Sequence, residues 1–144
     1  MIRKIESSDY NKGYMNLINT FTKNPTNISY ETFEQTLQNI QSQNGEIYGI
    51  EKDGKIVSSI HLFFEYKLHN NCKLVCHIED LVTDPEYRNR GYASALLAYA
   101  KERSKEKNCY KIVLCSNKEN SLFYKANGFQ EKGLEMSKYL GSIE

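Results

Sequence analysis

Apolar positions recur along this chain with two periods. Tyr10, Tyr14, Leu17, Ile18 and Phe21 share one face at helical spacing, which predicts a helix from Asp9 to Thr22. Phe33, Leu37 and Ile40 do the same for a second helix over Ser29 to Gln41, with Ser29 as its N-cap. Ile2 to Ile5 reads as a short strand. Asp53-Gly54 lies between the strand-like runs Ile47–Glu51 and Lys55–Tyr66, a strong hairpin signal. A strand from Lys73 to Thr83, a helix running to about Lys107, a buried strand from Lys111 to Cys115 and a short helix from Glu119 to Ala126 follow. Asn127-Gly128 stops that helix, and Phe129 to Tyr139 closes the chain as a strand. The order predicts an α/β fold of the mixed α+β kind, a mixed sheet with helices packed on it. No linker, repeat or low-complexity segment divides residues 1–144, which are expected to form one domain.

The Lys73–Thr83 run changes phase. Leu74, Cys76 and Ile78 alternate, but the next apolar residue, Leu81, comes three positions on. Two readings account for this: a bulge near Glu79-Asp80, which would leave backbone groups unpaired, or simple alternation with Asp80 in solvent. The strand then runs into Val82-Thr83-Asp84-Pro85-Glu86-Tyr87-Arg88-Asn89-Arg90-Gly91-Tyr92-Ala93. Pro85 removes a ladder donor, and Gly91 lets the backbone approach a ligand without a Cβ in the way. The free N–H groups of the helix that follows, its dipole, and Arg88 and Arg90 suit a diphosphate; the competing reading is an ordinary strand-to-helix turn.

Charge and composition narrow the classes. Nineteen Lys+Arg against 18 Asp+Glu leave no global field for nucleic acid or an acidic membrane, so any basic site is local. The first ten residues are charged, and no apolar run approaches the roughly 20 residues that span a bilayer, so a soluble cytoplasmic protein is expected. Cys72, Cys76, Cys109 and Cys115 lack paired C-x-x-C spacing. No metal is expected, and the four read as reduced, buried thiols.

The spacing Arg88-x-x-Gly91-x-Ala93 resembles the pyrophosphate signature of the GCN5-related N-acetyltransferases (GNAT). Three further segments, His77-Ile78-Glu79-Asp80-Leu81-Val82, Asn108 to Leu114 and Asn120 to Phe129, are similar in order and separation to the eukaryotic glucosamine-6-phosphate N-acetyltransferases. That resemblance implies the GNAT fold, with a central, mostly antiparallel sheet flanked by helices, and acetyl-CoA as co-substrate. It implies that the pantetheine arm pairs with Leu81, Val82 and Thr83, that the pyrophosphate lies on Arg88, Asn89, Arg90, Gly91, Tyr92, Ala93 and Ser94, and that Asn120 and Phe123 contact the cofactor. Glu79 corresponds to the amine-side carboxylate, Asp80 to a backbone carbonyl that holds the attacking nitrogen, and Tyr124 to the proton donor for the leaving thiolate. A phenol with a pKa of about 10 can donate to a thiolate of similar basicity. Thr22, Lys111, Cys115 and Lys138 fall at positions that meet the sugar phosphate. Each has a plainer reading: Tyr124 as a core aromatic, Glu79 as a solvated strand residue, Lys111 as an exposed strand end.

The chain departs from the family at two places. Cys115 stands where an acidic residue is usual, and the arginine expected near Tyr139 is absent, leaving Lys138 as a point charge. The expected activity is acetyl transfer from acetyl-CoA to the amine of D-glucosamine 6-phosphate, by direct attack in a ternary complex, without a metal. Another small amine or a protein amino group is the alternative acceptor. A non-catalytic acyl-CoA-binding module would keep the loop but need neither Glu79 nor Tyr124. The resemblance also implies a homodimer built through the C-terminal strand.

Overall fold

Ser29 begins the second helix as its sequence suggests: the Thr32 N–H donates to Ser29 Oγ at 3.1 Å, and the helix, here α2, runs Tyr30–Ser42. The computed structural model describes residues 1–141. The first helix is shorter than its apolar spacing predicts. Ser7–Lys12 is a 3-10 turn, Gly13 interrupts the path at φ 73°, and α1 spans only Tyr14–Asn19. The cause is local. Asp9 is fully buried and committed to the Arg3 guanidinium at 2.8 and 2.9 Å and to the Glu6 N–H at 2.9 Å, which winds the segment tightly. Phe21 lies past the end of α1 and is exposed.

The chain divides between Leu114 and Cys115 into two compact units. The first carries a five-stranded sheet in the order β1 (Ile2–Lys4), β2 (Gly45–Lys52), β3 (Lys55–Tyr66), β4 (Leu74–Thr83) and β5 (Cys109–Leu114). The first three pairings are antiparallel. β4 and β5 pair in parallel because α3 (Tyr92–Glu106) carries the chain back between them. The Asp53-Gly54 turn joins β2 to β3, with both residues at positive φ, 53° and 76°.

Each face of the sheet has its own cover. Ile47, Ile56 and Val82 pack with Ile5 against Tyr14 and Leu17 of α1 and Phe33 and Leu37 of α2. On the other face α3 buries Leu96, Leu97 and Ala100, and its Tyr99 ring lies 4.6 Å from that of Tyr48. The same face holds a polar group. Arg103 donates twice to the buried Glu46 at 2.8 Å, and the Tyr48 hydroxyl donates to it at 2.8 Å. β5 is half-buried rather than buried, as befits the edge position.

The second unit holds α4 (Lys118–Ala126). Asn117 caps it by accepting from the Asn120 N–H at 2.9 Å, and Gly128, at φ 92°, follows its end. Residues 129–139 form no strand, contrary to the expectation for Phe129–Tyr139. Alternating apolar residues favour extension, but a strand exists only where a neighbour takes its N–H and C=O groups, and among the described residues no ladder includes this segment. The thiols also differ from expectation. Cys76 is buried and Cys109 half-buried, but Cys72 sits in a tight turn and Cys115 just past β5, both exposed. Among the described residues no helix is long and apolar enough to cross a membrane.

Candidate active site

The end of β4 and the start of α3 form an anion-binding frame. Asp84 anchors the turn: its N–H donates to the Val57 carbonyl at 2.8 Å, its side chain accepts from the Glu86 N–H at 2.9 Å, and Lys55 sits 3.4 Å away. Gly91 is the residue before α3 and adopts φ 82°. No side chain caps the helix, so its first N–H groups stay available, and a Cβ built on Gly91 would meet nothing within 4 Å. The loop therefore presents open backbone where the dipole favours an anion. Arg88 and Arg90 are both exposed beside it. Arg88 is tied back by Nε to the Thr83 carbonyl at 3.4 Å, and Arg90 stacks over the Tyr87 ring at 4.7 Å while donating to the Glu86 carbonyl at 3.2 Å. The Tyr87 hydroxyl donates to Asp53 at 2.8 Å, so the β2–β3 turn braces the loop.

Upstream on β4 the phase change is a bulge. β3 and β4 stay in register with His61 opposite Glu79 and Ser59 opposite Val82, so Asp80 and Leu81 together face the single residue Ile60. Asp80 takes up the extra length at φ 48°. The ladder opens at Asp80-Leu81, which leaves backbone groups there without a cross-strand partner.

Beside the bulge lies a groove of about 460 Å³, lined by Ile40, Gln43 and Gly45 on one side and by His61, Phe63, Glu65, His77 and Glu79 of β3 and β4 on the other. Period-two alternation puts those five residues on the face that α1 and α2 cover elsewhere. His77 and Glu65 are joined at 2.8 Å, and Lys67 adds a second contact to Glu65 at 3.1 Å. The hydrogen bond from His77, then that from Lys67, holds the Glu65 carboxyl below the ordinary range. Burial pushes His61 below the usual imidazole value, against the opposing pull of Asp80 and Glu79. Tyr14 reaches the same region from α1, its hydroxyl 3.0 Å from Ser59 Oγ, and burial pushes it up to about 12.

The sequence-predicted residues fall into three groups. Glu79, Asp80, Leu81, Val82 and Thr83 share β4 with the groove and run directly into Arg88, Asn89, Arg90, Gly91, Tyr92, Ala93 and Ser94. Lys111 pairs with Val75 on β5, four residues and so roughly 13 Å along the sheet from Glu79. Thr22 is exposed in the segment after α1, its Oγ1 accepting from the Asn24 N–H at 3.2 Å. In the second unit, Asn120, Phe123 and Tyr124 lie on α4, Cys115 precedes it, and Lys138 is exposed in the segment without regular structure. Partial burial raises the Tyr124 hydroxyl above its ordinary value, and its ring meets Phe123 at 5.2 Å and Phe129 at 6.1 Å. Sequence reasoning missed His61, Phe63 and Glu65. Their alternation in β3 was visible, but only the register across the bulge sets them beside Glu79.

The model of the acetyltransferase (GNAT) family matches residues 12–129. A glucosamine 6-phosphate N-acetyltransferase of Arabidopsis thaliana is 31% identical over 142 residues, spanning 96% of this chain and 95% of that protein. Glucosamine 6-phosphate N-acetyltransferase 1 of Dictyostelium discoideum is 30% identical over 142 residues, spanning 96% and 89%. The crystal structure of the Arabidopsis thaliana enzyme superposes with a TM-score of 0.91 at 32% identity, over 96% of this chain and 97% of that one.

Proposed function

The chain belongs to the acetyltransferase (GNAT) family, and we propose that the acetyl group it transfers comes from acetyl-CoA and goes to the amine of D-glucosamine 6-phosphate, giving N-acetyl-D-glucosamine 6-phosphate. The single observation that carries this reading is β4 itself: one strand holds the acceptor-side carboxylate Glu79, a bulge at Asp80-Leu81 that frees backbone groups, and the open helix start at Gly91. Curated relatives of both plant and slime-mould origin carry that activity in their names.

The roles follow from the chemistry each group can perform. Arg88 to Ser94 hold the diphosphate with N–H groups and guanidinium charge. Leu81 to Thr83 pair with the pantetheine arm, Asn120 and Phe123 contact it, and a backbone N–H near Leu81 polarises the thioester carbonyl. The Asp80 carbonyl holds the amine for attack, and Glu79 accepts from it. Tyr124 gives its proton to the sulfur as the C–S bond breaks. Lys111 and Lys138 supply charge for the sugar phosphate, with Thr22 and Cys115 at the rest of the sugar.

The exposed apolar side chains of Leu134, Met136, Tyr139 and Leu140 support a homodimer, in which the C-terminal segment of one chain packs against or extends the sheet of the other. β5 is an edge strand and offers such a segment a ladder. The test is thiol release from acetyl-CoA against a panel of amines. Glucosamine 6-phosphate is expected to exceed glucosamine in kcat/KM by roughly ten- to a hundredfold, since a charge-assisted contact is worth about 1.5–3 kcal/mol. Equal turnover of the two sugars rejects the phosphate contact, and faster turnover of spermidine or a peptide amine replaces the sugar as acceptor. Binding of acetyl-CoA with no turnover of any amine would make the chain an acyl-CoA-binding module.

A further inference from the structure

We propose that His61 is a catalytic residue, the group in the acceptor groove that takes the proton which the amine must shed before it attacks. The assignment rests on acetyl transfer to an amine bound beside Glu79. His61 sits on β3 directly opposite Glu79, and cross-strand neighbours on one face of an antiparallel pair have Cβ atoms about 4.5–5.5 Å apart. Its ring lines the groove that Glu79 lines. Its Nδ1 is 4.0 Å from Asp80 Oδ2, at the bulge where the acceptor nitrogen is held. Imidazole and carboxylate thus stand on adjacent strands around one point, and neither is buried beyond reach: the side chain of His61 is 21% exposed and that of Asp80 50%.

The protons balance with this assignment. An amino sugar binds partly as the ammonium, which has no lone pair. One proton passes from nitrogen to the neutral imidazole and on to solvent. The nitrogen lone pair then forms the C–N bond, the C–S bond breaks, the nitrogen loses a second proton as the amide forms, and the sulfur takes one up from Tyr124. An imidazole suits the first transfer better than an exposed carboxylate, because its proton affinity lies closer to that of an amine. Glu79 then holds the nitrogen and stabilises the imidazolium.

The groups that face His61 decide its protonation. From β4 these are Asp80, Glu79 and, further along the wall, His77 paired with Glu65 of β3. Tyr14 approaches from α1, while β2 and α2 contribute Ile47, Ile40 and Gln43. Burial lowers the imidazole, so it stays neutral and able to accept below the pH at which an ordinary histidine charges. Asp80 acts in the opposite sense. Removing its charge is therefore expected to lower the imidazole further.

The experiment is the pH profile of kcat/KM, measured with the amine that the wild-type enzyme acetylates fastest, so that a different acceptor would overturn the sugar and leave this test standing. In the wild type, activity is expected to fall on the acid side along a limb of slope one. H61Q should lose that limb and lower kcat about ten- to a hundredfold near neutral pH, with KM for acetyl-CoA unchanged. H61A should regain part of the loss when imidazole is added. D80N keeps a side chain that tolerates positive φ, and should move the acid limb to lower pH. An acid limb that persists unshifted in H61Q, or full activity in H61A without imidazole, would overturn the assignment. A uniform loss of activity in H61Q at every pH, with the limb retained, would also overturn it, since that is what a packing role produces.

Discussion

Gly91 carries the anion loop through two properties that no other residue combines, φ 82° and empty space where a Cβ would project. Gly91→Val is expected to cost most of the acetyl-CoA affinity. Arg88→Ala should cost less, because the Arg88 guanidinium is one donor among the backbone N–H groups that face the same oxygens. Calorimetry with acetyl-CoA checks both, and a folded Gly91→Val protein that binds like wild type would remove the loop from the cofactor site. Tyr124→Phe should lower kcat about ten- to a thousandfold with little change in acetyl-CoA affinity, measured by steady-state kinetics beside the binding isotherm. Gly91, Arg88 and the bulge at Asp80 were legible in the sequence, because a glycine before a helix and a slipped apolar phase are local signals. His61 was not. Its neighbourhood to Glu79 is a property of two strands, set by a register that the bulge itself shifts.

Among the elements, α2 ends in close contact with β2. The Ile40 carbonyl oxygen lies 2.7 Å from where a Cβ on Gly45 would sit, and both residues border the acceptor groove. Gly45→Ala must push the last turn of α2 outward, and overpacking of this kind typically costs about 1–3 kcal/mol. The urea midpoint should fall accordingly, and the KM for the amine should rise with it. The link between α3 and β2 makes a separate prediction about pH. Burial pushes the Glu46 carboxyl up, but the Arg103 guanidinium and the Tyr48 hydroxyl outweigh it and hold the group below its ordinary value. A depressed carboxylate adds stability above its unfolded pKa, and that stability is lost as pH falls through the folded value. The melting temperature should therefore drop below about pH 4.5, the unperturbed value of the group. Glu46→Gln should be less stable at neutral pH and show a shallower acid decline. Helix α2 and the hairpin were legible from Ser29 and Asp53-Gly54. The break at Gly13 was not, because the apolar spacing from Tyr10 to Phe21 runs across it and only the burial of Asp9 against Arg3 decides the winding.

At the scale of the whole molecule, the C-terminal segment separates what a pattern can predict from what a ladder requires. Apolar alternation in residues 129–139 reads as a strand, yet Leu134 and Met136 are 90% and 88% exposed, which leaves their burial to a second chain. If that chain completes the sugar site, activity should fall on dilution together with the dimer, and truncation before Leu134 should abolish both. Light scattering beside activity checks this, and a fully active monomer would reject the shared site.

The Asp53-Gly54 turn has a practical consequence. Exposed hairpin tips are the usual places to insert a tag or to find a harmless protease nick. Here the tip is fastened through Asp53 to Tyr87, and Tyr87 carries the guanidinium of Arg90 on its ring. Lengthening or cutting the hairpin should leave the core folded while slackening the grip on acetyl-CoA, so a surface edit more than thirty positions upstream in the sequence would be read out as a weaker cofactor isotherm.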